Sequence, residues 1–336
     1  MTMMISMSPT MTDYPPKPES SLTTFNDLLV PHPRMEEVLK TLAHFTAETT
    51  PSNIVLLTGP TGAGKSATVE KCVSSHIKSR WERITTDPGI IPAFSMIAPA
   101  VGQKTFSWRL FYRIGMSELC EPLFEKKRQH TRSNGDRLRL PRPSASSKLS
   151  DLSISFGNAL IERETRFFVI DEAAHMLCGV ANGENMDALK FLSDRSNTTI
   201  VLAGSYDLLD VLDINSQLAR RCSVVHFSRY RLDSRGDVRV FRKVVRSLLR
   251  QMALEPTPQL TDRQIKTLME CSVGCIGILK TILHDAYARC LNEHAGEWNI
   301  EALRCSLPAR STADSILRNI QQGENRLGRG KKWDLS

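Results

Sequence analysis

Hydrophobic positions along the chain follow two regimes. Up to about residue 230, short unbroken apolar runs alternate with stretches in which apolar residues recur every three or four positions. The runs are Ile54-Val55-Leu56-Leu57, the region Ala93–Ile97, Phe167-Phe168-Val169-Ile170, Ile200-Val201-Leu202-Ala203 and Val224–Phe227. Runs of this length without alternation predict strands buried on both faces, as in a parallel sheet. Between them, Met35, Val38, Leu39, Leu42 and Phe45 mark one helix, and Val69, Cys72, Val73 and Ile77 another. Phe106, Leu110, Ile114 and Leu119 mark a third, and Leu149–Glu164 and Met186–Leu192 read as two more. From Asp233 on, only helical spacing remains: Val238–Leu249, Ile265–Met269, Ile276–Leu291 and Ile300–Leu307. The pattern predicts an α/β domain over 25–232, followed by a small all-α lid domain over 233–308.

The remaining segments read as irregular. Residues 1–24 carry many hydroxyls and prolines and few large apolar groups, which predicts disorder. Residues 309–336 end in the run Arg326-Leu327-Gly328-Arg329-Gly330-Lys331-Lys332 and read as a flexible basic tail. A basic insertion occupies about 103–148, its second half polar and broken by Pro141 and Pro143.

Composition narrows the class. With 41% hydrophobic and 24% charged residues the chain reads as a soluble globular protein. No apolar run approaches the ~20 residues of a membrane span, and the N-terminus lacks a basic start and apolar core. The expected location is the cytoplasm. The eight cysteines are scattered, and only Cys271 and Cys275 are close. That spacing favours buried free thiols over a metal site. The net charge of +8 is uneven: from Lys104 to Lys148 eleven basic residues face four acids, and from Leu218 to Arg250 ten face two. Such clustering suits either a polyanion-binding surface or a solvated basic face. Trp108, Phe111 and Tyr112 beside Arg109 and Arg113 leave a similar choice, between stacking on bases and packing in the core.

Candidate chemistry centres on Gly59-Pro60-Thr61-Gly62-Ala63-Gly64-Lys65-Ser66, directly after the first apolar run. Strand, glycine-rich loop and helix in this order form a P-loop. The glycines let backbone N–H groups wrap a phosphate chain, Lys65 reaches the β- and γ-phosphates of ATP, and the Ser66 hydroxyl suits Mg2+. Asp171-Glu172, ending a buried run, supply the partner set: Asp171 for Mg2+, and Glu172 to take a proton from the attacking water. Ser205, after the fourth run, either orients that water or caps a turn. Arg220 and Arg221 precede the last run, where one of them can reach a neighbouring subunit's nucleotide and offset transition-state charge. Lys280, in the helical region, is a candidate nucleotide contact.

The motifs GPTGAGKS, FFVIDEAAH and IVLAGS, the arginine pair and the helical lid together resemble an AAA+ ATPase over roughly residues 25–308. The lead-in VPHPRMEEVLKTL, the DEAAH run and LAGSYDLL are similar to the transposon-encoded regulators TnsC and TniB. The lid offers Lys280 where many relatives carry arginine. The resemblance implies an ATP-dependent oligomer on double-stranded DNA in a bacterial cytoplasm, linking a target-selection protein to a transposase. It places His32 and Arg34 of the lead-in among the nucleotide contacts, and Gln103, Lys104 and Thr105 along the DNA path. Two alternatives stay open: a replication initiator or helicase loader, and a nucleotide-dependent protein scaffold. Only about 30 residues follow the lid, short for the winged-helix domain that initiators often add.

Overall fold

Five parallel strands form one sheet: β1 Ile54–Thr58, β2 Ala93–Ile97, β3 Phe167–Asp171, β4 Thr199–Gly204 and β5 Cys222–His226. A computed structural model describes residues 18–47, 54–100, 106–121, 148–177, 182–210, 212 and 222–328. The strand order is β2-β3-β4-β1-β5. Each predicted run became a strand, and the unbroken runs hold the middle of the sheet. Every residue of β1 and β4 is buried, whereas the edge strand β5 exposes Val224. A strand covered on both faces has no polar position to spare, which is why these runs do not alternate.

The chain divides into two compact units, one of Pro31–Arg229 with the residues from Asp314 on, the other of the residues up to Val30 with Tyr230–Ala313. In the first unit, helices Lys65–Ser79, Trp108–Glu118, Leu149–Glu162 and Asn182–Ser196 accompany the sheet. Phe94 stacks on Phe168 with centroids 5.1 Å apart, and Phe111 and Phe156 complete an aromatic cluster with them. Phe111 and Tyr112 are buried and Trp108 donates its indole N–H to Asn185 at 2.7 Å. This aromatic–basic helix is therefore core, and part of the expected insertion, residues 108–118, belongs to the packed unit. Within the expected insertion, residues 103–105 and 122–147 lie outside the described residues. So does Cys178; of the other cysteines Cys120 and Cys305 are exposed, against the expectation of burial.

The helical unit is built from Arg235–Arg250, Asp262–Cys271, Ile276–Glu293 and Ile300–Cys305, whose apolar stripes meet in one cluster. Two expectations need correction. Residues 18–24 are not disordered but open the helix Pro18–Asp27, because Phe25 inserts into that cluster, 1% exposed and edge-on to Tyr287 at 5.7 Å. Residues 310–328 are not a flexible tail but a helix, Arg310–Gly328, with Ile320 buried. In both segments one or two apolar residues at the right turn of a polar helix suffice once a partner face exists. Among the described residues no helix is long and apolar enough to cross a membrane.

Candidate nucleotide site at the C-terminal edge of the sheet

β1 delivers the P-loop at a point fixed from both sides. Thr58 pairs in register with Gly204 of β4 and His226 of β5, and its hydroxyl donates to the Ser205 carbonyl at 3.0 Å. The loop then turns through Gly62 and Gly64 at φ of +76° and +105°, a region that glycine enters without steric cost. At Gly59 the constraint is space: a Cβ there would stand 2.4 Å from the Phe227 carbonyl oxygen. The helix Lys65–Ser79 begins at Gly64 with no side chain capping it. Its first amides, which a cap would otherwise occupy, thus point into the loop and suit an anion. The Lys65 ammonium bridges the Gly59 and Pro60 carbonyls at 2.9 and 2.8 Å, above its own loop. Ser66 and Thr61 are exposed, and Ala63 is buried beneath them.

β3 ends at Asp171, whose Oδ1 accepts the Glu172 N–H at 2.8 Å. Glu172 has φ +51°, an uncommon conformation for a residue with a side chain. The turn leaves its carboxylate exposed, 3.2 Å from Nε2 of His175 one turn along the 3-10 helix Ala173–Leu177. Ser205 follows β4; its hydroxyl donates to Asp207 at 2.8 Å while its carbonyl accepts from Thr58. Because β3, β4 and β1 are adjacent and parallel, the P-loop, Asp171-Glu172 and Ser205 emerge together at the sheet's C-terminal edge, where open α/β sheets bind ligands. The Ser66 hydroxyl and Asp171 carboxylate are hard oxygen donors, a set that fits Mg2+ completing its shell with water and phosphate.

His32 and Arg34 belong to the same unit but take structural roles. His32 is 4% exposed and caps the helix Pro33–Phe45, its Nδ1 accepting from the Met35 N–H at 3.4 Å. Its ring lies edge-on to Phe227 at 6.0 Å, so one phenylalanine separates it from Gly59. Burial, and secondarily the Arg34 charge, hold its pKa at about 4, leaving a neutral imidazole at neutral pH. Arg34 pairs with Glu37 at 3.6 Å. Lys280 lies in the helical unit, where its ammonium donates to the Asn26 and Leu28 carbonyls and so closes the C-terminal end of the helix Pro18–Asp27. Arg220, Arg221, Gln103, Lys104 and Thr105 lie outside the described residues. Sequence reasoning missed the contacts that hold the edge together: Thr58 to Ser205, Phe227 over Gly59, and His175 against Glu172. Only the last had a visible signal, the i,i+3 spacing in Asp171-Glu172-Ala173-Ala174-His175.

Residues 49–212 match the family described as AAA domain. Three solved structures are similar in fold. The ORC2 protein of Aeropyrum pernix, in its ADPNP–ADP complexes, is 13% identical with a TM-score of 0.54, over 84% of this chain and 70% of that one. The ORC1 protein of the same organism, in complex with DNA, is 15% identical with a TM-score of 0.53, over 85% and 67%. A Walker-type ATPase of Pyrococcus abyssi is 15% identical with a TM-score of 0.50, over 88% and 75%. None of the curated proteins matches the chain in sequence. The P-loop, the Asp171-Glu172 strand end and the five-stranded parallel sheet with its flanking helices give the chain an AAA+ P-loop NTPase fold, with the match to the AAA domain family falling on residues 49–212.

Proposed function

We propose that the protein is an ATPase that assembles with copies of itself on duplex DNA and regulates DNA transposition, linking a target-selection protein to a transposase. The observation that carries the ATPase part is the single sheet edge holding Gly59–Ser66, Asp171, Glu172 and Ser205. ATP would lie with its phosphates against the loop amides, and the Lys65 ammonium would exchange the Gly59 and Pro60 carbonyls for phosphate oxygens. Bound Mg2+, held by Ser66 and Asp171, would neutralise charge on the phosphates. Glu172 would take the proton of the attacking water, and Ser205 would orient it. Arg220 or Arg221, supplied by a neighbouring copy, would stabilise the charge on the transferring group.

The DNA part is supported by the basic stretches 104–148 and 218–250 and by the TnsC- and TniB-like lead-in and DEAAH run. An ORC protein of similar fold is described in complex with DNA, which adds a likeness of fold alone. Gln103, Lys104 and Thr105 are the proposed DNA contacts.

Binding to duplex DNA should require ATP and weaken steeply with salt, since phosphate contacts release counterions. Electron microscopy with ATP and duplex DNA should show a ring or helical assembly. Binding that ignores both nucleotide and salt would refute the proposal.

A further inference from the structure

The helix Arg310–Gly328 enters the α/β unit at Asp314 and lies against the residues that follow Ser205. Gly323 has no room for a side chain, since a Cβ there would stand 2.1 Å from Cγ of Tyr206 and 2.3 Å from its Cδ2. The helix backbone thus rests on the Tyr206 ring. One residue on, Glu324 takes a bidentate pair from Arg229 at 2.9 and 3.2 Å, with these side chains only 20% and 13% exposed. Arg326 pairs with Asp210 at 2.7 Å. The helix therefore grips Tyr206 and Asp210, either end of the turn after Ser205, and Arg229 beyond β5.

That turn leads back to the P-loop by short steps. The Tyr206 hydroxyl is 3.0 Å from Nε2 of His226, and His226 is the register partner of Thr58. Thr58 in turn holds the Ser205 carbonyl and precedes Gly59. Tyr206 follows Ser205 directly, so a helix seated on its ring limits where Ser205 can go. The close backbone approach at Gly323 and the mostly buried bidentate pair each require this one seating.

We propose that residues 314–328 are a positioning element of the nucleotide site, a latch whose seating on Tyr206 and Arg229 sets the Ser205 turn and through it the rate of γ-phosphate cleavage. The inference rests on the ATPase reading above. Linkage is reciprocal: if the seated latch favours one nucleotide state, that nucleotide must favour the seated latch by the same factor.

Four variants and one exchange measurement test it. Arg229→Glu and Glu324→Arg should each lower the kcat for ATP about 10-fold, within the range typical of such coupling, with KM changed less than about twofold. The double charge swap should restore most of the loss. Gly323→Leu, which evicts the helix by bulk, should reproduce the single-variant loss with both members of the ion pair left unsubstituted. Binding of a fluorescent ATP analogue should persist in all of them, showing a folded P-loop. In the unaltered protein, hydrogen exchange over 314–328 should slow when a non-hydrolysable ATP analogue binds. Wild-type kcat in the singles and in Gly323→Leu would overturn the latch, as would a double swap as slow as the singles. If the protein bound ATP but turned none over, the ATPase reading would fall. The exchange result would still decide the latch, and exchange indifferent to nucleotide would overturn it.

Discussion

The Thr58 hydroxyl donates to the Ser205 carbonyl across 3.0 Å, joining the residue before the P-loop to the residue after β4. Parallel pairing of β1 with β4 brings the two strand ends level, and the hydrogen bond then fixes the turn that carries Ser205. Thr58→Val removes the donor and leaves the carbonyl unpaired, at a cost of ~1–3 kcal/mol. Denaturant unfolding should show that loss, and steady-state assays should show kcat falling further than KM rises.

Glu172 sits in a left-handed turn with its carboxylate exposed, so its substitution carries little folding penalty. Glu172→Gln should lower kcat by roughly 10²–10⁴-fold, the usual range for a lost general base. ATP should still bind, and ATP-bound assemblies should accumulate on DNA. A variant turning over at the normal rate would remove Glu172 from its role.

His32 gives the fold an acid-sensitive point. Its pKa is about 4 in the folded chain against 6.5 for the free side chain, with burial the larger cause and Arg34 the smaller. As pH falls through about 6.5 the unfolded chain takes up a proton that the folded chain refuses until about 4. Stability from this group is therefore complete above 6.5 and lost as pH falls toward 4, by up to about 3 kcal/mol. His32→Asn keeps a capping side chain without the titration. Its melting temperature should fall less than wild type between pH 7 and pH 4.5.

The arginine pair is testable by mixing. A subunit carrying Arg220→Ala and Arg221→Ala together retains its own P-loop, and a Lys65→Ala subunit retains its arginines. Each alone should be nearly inactive, since a lost finger costs roughly 10³–10⁵-fold. Mixed, they should regain turnover wherever a wild-type loop faces a wild-type arginine. No recovery would place the arginines outside the shared site.

Charge neutralisation at Lys104 together with the basic residues of 126–148 should weaken DNA affinity and flatten its dependence on salt, since each lost phosphate contact lowers the slope by about one. ATP turnover in the absence of DNA should be unchanged. Undiminished DNA binding would favour a protein scaffold.

The sheet was legible because burial on both faces leaves only one kind of residue to use, as in Phe167–Ile170 and Ile200–Ala203. The P-loop and Asp171-Glu172 were legible because their chemistry dictates their spelling. Phe25 and Ile320 were not: each is a buried apolar side chain on a mostly polar helix, buried only because a distant segment offers a face. The support beneath the site was hidden for the same reason. Nothing local to Thr58 announces Ser205, and nothing local to Gly59 announces Phe227. Lys280 shows the converse, a residue whose place in a motif hid the two main-chain carbonyls it serves.

The helical unit draws Phe25 from the sequence before the α/β unit and its remaining helices from the sequence after it, and the α/β unit in turn takes Ile320 from the sequence after those helices. Neither can be completed during synthesis in the order it is read out. Phe25 is made first and must wait for Tyr287, its aromatic partner in the third helix of the helical unit. A nascent chain that had emerged as far as residue 230 would present a complete sheet preceded by one uncommitted, mostly polar helix bearing Phe25. That interval is when a chaperone, or a neighbouring chain on the same polysome, would find Phe25 unclaimed.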